Sequence, residues 1–120
     1  MPDAFESANN LNPDSAADAP EDNDGDGATN VQEYFAGTHP GNSASVLRAG
    51  IRRVGASVEI SFEASANKVY QVEFRGDLST TTDWTVLVPN LTRSTAGLLQ
   101  ISDSATANLT CCFYRVRVMR

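Results

Sequence analysis

The chain has 120 residues, nine Lys plus Arg against fifteen Asp plus Glu, and a formal charge of −6. That length allows one domain or a small domain with an appendage, and it excludes barrel and doubly wound enzymes, which take roughly 200 residues or more. The acidic balance excludes nucleic acid as the main partner, and no apolar run approaches the ~20 residues of a membrane span.

The charge is unevenly placed. Residues 1–45 hold nine acids and no Lys or Arg, together with four of the five prolines. Residues 46–120 hold six acids and all nine bases. The acidic part has few apolar residues, so burial offsets little of its ordering entropy, and something other than a core must hold it. Met1-Pro2-Asp3 carries no basic region and no apolar stretch of a secretory signal, so the sequence is expected to be a mature fragment or a piece of a longer protein. The domain boundary is expected between the two parts, giving 1–45 and 46–120.

In chain order, residues 2–10 read as a short helix with Pro2 at its start and Phe5 turned inward. Asn12, Asp14 and Asp18 follow, with oxygen donors at short spacing. They suit either a second calcium site that shares Asp24 or Asp26, or a turn cluster around Pro13; the spacing leaves both open. Residues 22–33 then fit the pattern D-x-[DN]-x-[DN]-G-x5-E at every specified position. Asp22, Asp24 and Asp26 take positions 1, 3 and 5, and Gly27 makes the sharp turn at position 6. Ala28 offers its carbonyl at position 7, Asn30 stands at position 9, and Glu33 supplies both carboxylate oxygens at position 12. Calcium takes 6–8 oxygens at about 2.3–2.6 Å, and this spacing wraps them around one point. A start at Asp24 would put Ala28 and Thr29 at positions 5 and 6, and a start at Pro20 would put proline at position 1; only Asp22 works. Asn30–Ala36 reads as the helix leaving the loop, capped by Gly37 and stopped by Pro40. Val31, Tyr34 and Phe35 fall on one face of it.

Residues 1–45 resemble the calcium-binding segments related to thrombospondin type-3 repeats and dockerin loops, which lie between domains of large secreted bacterial proteins. The resemblance rests on Leu11-Asn12-Pro13, Asp14, Asp18, Asp22-Asn23-Asp24-Gly25-Asp26-Gly27, Asn30, Glu33-Tyr34 and Gly37-Thr38-His39-Pro40. His39 stands where those segments more often have Asp, and Phe5 where they have Trp. The resemblance implies an extracellular or cell-surface setting and a structural role beside adjacent domains of a larger secreted protein.

The rest of the chain alternates apolar and polar residues. Residues 58–63, 69–75, 84–88 and 112–118 are the strong strands; 47–51 and 99–101 are weaker. The inward rows are expected to be Val58/Ile60/Phe62, Tyr70/Val72/Phe74, Trp84/Val86/Val88 and Cys112/Tyr114/Val116/Val118. Turn signals fall at residues 54–56, 64–67, 76–77, 89–90 and 102–108. About six short strands at this spacing predict a mostly β fold, a small antiparallel β-sandwich with an N-terminal helix–calcium loop–helix segment. Tyr70-Gln71-Val72-Glu73, Asp77-Leu78, Trp84 and Phe113-Tyr114-Arg115-Val116 resemble the sandwich that follows such calcium segments.

Little else carries chemistry. His39 is the single imidazole, in a Gly/Pro turn, whereas triads and zinc sites need placed histidines. Cys111 and Cys112 are adjacent, so a strand would turn them to opposite faces. Glu59, Glu63 and Glu73 fall on outward rows, where pairing with Arg75, Arg115 or Arg117 is the ordinary outcome. No catalytic residue is assigned. The expected function is a non-catalytic calcium-binding module. The alternatives are a carbohydrate-binding or adhesive module, with polysaccharide as a further candidate partner and Phe113 as the outward ring, and then a small hydrolase.

Overall fold

The computed structural model describes residues 1–76, 83–104 and 112–120. Asp77, Leu78 and Cys111, used in the sequence reading, lie outside the described residues, as do the turn signal at Asp77 and most of that at 102–108. The chain divides into two compact units, Met1–Leu47 and Arg48–Arg120.

The first unit is mostly loop. Helix α1 (Asp3–Ala8) is followed by a single 3-10 turn (Ala16–Asp18) and helix α2 (Asn30–Ala36). α1 is shorter than the residues 2–10 expected, and the element nearest the acidic loop on its upstream side is the 3-10 turn. α2 starts at a reciprocal cap: Thr29 Oγ1 accepts from Gln32 N–H, while Thr29 N–H donates to Gln32 Oε1. It ends at Gly37, whose φ of 76° is the left-handed region that favours glycine. The Phe5 ring meets Tyr34 edge-on at 5.1 Å between centroids, and Tyr34 meets Phe35 at 5.1 Å. With buried Pro40, these rings are the small apolar content of the unit.

The second unit is all β. Strands β1 (Ala49–Val54), β2 (Ser57–Ala64) and β5 (Gly97–Asp103) form one antiparallel sheet in the order β1-β2-β5. Strands β3 (Val69–Arg75), β4 (Thr85–Thr92) and β6 (Phe113–Met119) form the other, in the order β4-β3-β6. The buried core is Ile60, Phe62 and Ala64 of β2 with Tyr70 and Val72 of β3, the central strands of the two sheets. Phe62 and Tyr70 meet at 5.0 Å between ring centroids, and the Tyr70 hydroxyl accepts from Ser65 N–H at 2.7 Å. A buried apolar side chain of this size contributes about 1.5–3 kcal/mol, and the tyrosine keeps that benefit because its polar tip is paired. Tyr114 of one sheet donates to Asp103 Oδ2 of the other at 2.9 Å.

The β4 row differs from the alternation. Val88 lies opposite Val72, but Val86 lies opposite Glu73 and is 46% exposed, because the ladder slips twice between Tyr70 and Glu73. Pro89-Asn90, read as a turn, sits inside β4, with Asn90 at φ 56°. β4 is an edge strand, so a proline without N–H and a bulged residue cost no ladder bond on its open side. Trp84 is also displaced from the expected core row. Its ring lies with the guanidinium carbons of Arg75 and Arg115 at 4.7 and 4.4 Å from the centroid.

Candidate metal centre

The loop between the 3-10 turn and α2 is organised by its own carboxylates. Asp22 Oδ1 accepts from Gly25 N–H at 2.7 Å and Oδ2 from Gly27 N–H at 2.9 Å. Asp24 Oδ1 accepts from Asp26 N–H at 3.2 Å, and Asp26 Oδ1 from Ala28 N–H at 2.8 Å. Gly25 and Gly27 turn at φ 76° and 99°, which a side chain would resist. The result brings one oxygen each of Asp22, Asp24 and Asp26 within 4.8 Å of one another. Like charges at that spacing repel one another, least at exposed Asp22.

Helix α2 supplies two more donors. Glu33 and Asn30 are both 0% exposed. Asn30 Nδ2 donates to the Asp18 carbonyl at 2.8 Å, and this fixes the amide so that Oδ1 is left over. Asn30 N–H and Val31 N–H donate to the Glu21 and Ala19 carbonyls, which ties the start of α2 to the chain after the 3-10 turn. Asp24 Oδ2, Asp26 Oδ2, Asn30 Oδ1 and both oxygens of Glu33 are buried and accept from nothing. Burial drives the Glu33 carboxyl up to about 7, and the charges of Asp24, Asp26 and Asp22 add to the rise. Thr38 offsets part of it without reaching hydrogen-bond geometry.

Buried acceptors are nearly always paired in folded proteins, and here five atoms of the loop and of α2 have no hydrogen-bond partner. All are oxygens, as a hard cation such as calcium or magnesium requires; nothing in the set has the nitrogen or sulfur that zinc or copper selects. Residues 1–47 contain no Lys or Arg that could answer them. A metal ion of this class fits the residues. Ala28, half-buried in the loop, has its N–H held by Asp26, and its carbonyl keeps the seventh loop position.

Asn12 and Asp14 are exposed, and Asn12 Oδ1 accepts from Asp14 N–H at 3.0 Å in a local turn. Asp18 is different: Oδ2 accepts from Asn12 N–H at 2.7 Å, whereas Oδ1 is buried and partnerless. The sequence reading missed the burial of Asn30 and the Thr29–Gln32 cap. The T-x-x-Q spacing just before an apolar run was the available signal for the cap.

Two glutamates of the β unit, Glu59 and Glu73, are engaged with arginines. Glu73 accepts from Arg115 at 2.6 Å, Arg117 at 3.2 Å and Gln71 at 2.7 Å, and Glu59 pairs with Arg52 at 2.9 Å. No family model matches the chain, and neither a curated protein nor a solved structure matches it.

Proposed function

We propose that this chain is a non-catalytic calcium-binding module. In this reading Asp22, Asp24, Asp26, Ala28, Asn30 and Glu33 surround one Ca2+, which orders an acidic segment that has little core of its own. Residues 48–120 form a small β-sandwich, and the whole acts as a structural or linking module of a larger extracellular or surface protein. The observation that carries the reading is Glu33: fully buried, with both carboxylate oxygens unpartnered among three aspartates. A bidentate carboxylate at loop position 12 is what calcium uses to complete seven oxygens, and smaller magnesium accommodates it poorly. Calorimetric titration of the chelator-treated chain tests this. Calcium should bind with at least one ion per chain, magnesium much more weakly, and Glu33→Gln should abolish the heat. An unchanged titration in Glu33→Gln would refute the assignment.

A second reading has its own observation. Trp84 lies beside Arg75 and Arg115 on the sheet that also carries Arg117. Indole with flanking guanidiniums suits a polysaccharide bearing carboxylates. Retardation in gels containing polyuronate, reduced by Trp84→Ala, would favour it; equal mobility with and without the polymer would remove it.

A further inference from the structure

We infer that Asp18, four residues before the twelve-residue loop begins, is a fifth carboxylate ligand of the same cation. This rests on the calcium reading and extends the centre from residues 22–33 to residues 18–33.

Asp18 shares the signature of the loop ligands. One carboxylate oxygen, Oδ2, is used locally by Asn12 N–H, and the other is buried without a partner. Asp24 and Asp26 are arranged the same way, one oxygen holding a loop amide and the other left over. A turn cap alone would leave the second oxygen to water, because water satisfies the spare lone pairs of an exposed carboxylate. Here that atom is buried. A buried carboxylate oxygen without donor or cation carries its whole desolvation cost.

Its backbone is tied to the start of α2. The Asp18 carbonyl holds Asn30 Nδ2, so the residue is clamped against the fully buried side chain at loop position 9, whose own oxygen is also free. Two further bonds, from Asn30 N–H to Glu21 O and Val31 N–H to Ala19 O, stop this stretch from swinging away. Asn12 and Asp14, the other donors of a separate upstream site, are exposed.

Five acids around one divalent ion also sets specificity. The charge balance favours a trivalent lanthanide over calcium at equal size, because more of the repulsion is relieved.

Titrations of the full chain with calcium and with terbium provide the test, comparing wild type, Asp18→Asn and Asp3→Asn. Asp18→Asn keeps an acceptor for Asn12 N–H and removes the charge; Asp3→Asn makes the same charge change on exposed α1. The expected result is one ion per wild-type chain, affinity lowered on the order of tenfold to a hundredfold by Asp18→Asn, with a larger loss for terbium. Asp3→Asn should change little. Wild-type binding of one ion with Asp18→Asn unchanged would overturn the inference and leave the calcium reading standing. Two ions in wild type and one in Asp18→Asn would overturn it in favour of a separate site. No binding by wild type would overturn the calcium reading as well. Should Asp18→Asn fail to fold, a crystal of the calcium-loaded wild-type chain decides. Asp18 Oδ1 at about 2.3–2.6 Å from the ion supports the inference, and a wider gap filled by water refutes it.

Discussion

Glu33 and Glu73 are both almost wholly buried, and their surroundings push them in opposite directions. In the metal-free chain Glu33 rises from 4.5 to about 7 through burial and its aspartate neighbours. The folded chain therefore holds a proton that the unfolded chain has lost between those values. That contribution to stability is complete below the ordinary value and fades as pH rises through 7. Calcium needs the ionised form and must displace the proton. Its affinity should climb from about pH 6 to about pH 8 and then level off, with proton release in weak buffer near neutrality. An affinity independent of pH over that window would contradict the role given to Glu33. For Glu73, burial would also raise the carboxyl, but Gln71, Arg115 and Arg117 outweigh it and hold the group below its usual range. Its stabilisation is present above the ordinary carboxylate value and lost as pH falls through the depressed one. Glu73→Gln should cost roughly 2 kcal/mol near neutral pH, discounted for half-exposed arginines, and the gap from wild type should close in acid. Thermal melts of both proteins across pH measure it.

At the scale of elements, α2 and β4 show what a sequence discloses. The bounds Asn30–Ala36 and the Gly37 cap were legible because helix signals are local: spacing, a left-handed residue and a proline beyond it. The closeness of Asp22, Asp24 and Asp26 was legible in their spacing for the same reason. β4 was not, because whether Pro89-Asn90 turns the chain or merely bulges it depends on the strand lying at a sheet edge, which is decided by topology. Once the ladder slips, Val86 and Trp84 leave the row that simple alternation assigns them. Asn90 carries the bulge at φ 56°. Asn90→Gly should leave the melting temperature nearly unchanged, whereas Asn90→Val, with a branched Cβ in the left-handed region, should cost about 1–2 kcal/mol. Equal melting of the two variants would show that the bulge relocates.

For the whole molecule, the two units rest on different sources of stability. Residues 48–120 have an apolar core, while residues 1–47 have three aromatic rings, a proline and an unanswered set of carboxylates. Calcium that binds only the folded form stabilises it by about 2.7 kcal/mol at a hundred times its dissociation constant. Heating in chelator should accordingly give an early transition from the acidic unit, which moves upward as calcium is added. Superimposable melts with and without calcium would refute this. No helix among the described residues is long and apolar enough to cross a membrane.

Among the described residues strand β1 bonds to β2 along one side only, all six of its residues are exposed, and Ile51 remains 57% accessible. Such a margin can template the addition of further chains, strand upon strand, into fibrils. Arg52 and Arg53 lie along it, and their charge disfavours the docking of a second copy, less so at Arg52, which Glu59 answers at 2.9 Å. Exchanging both arginines for threonine should leave the fold intact yet shorten the lag before thioflavin-positive aggregates form in concentrated solution.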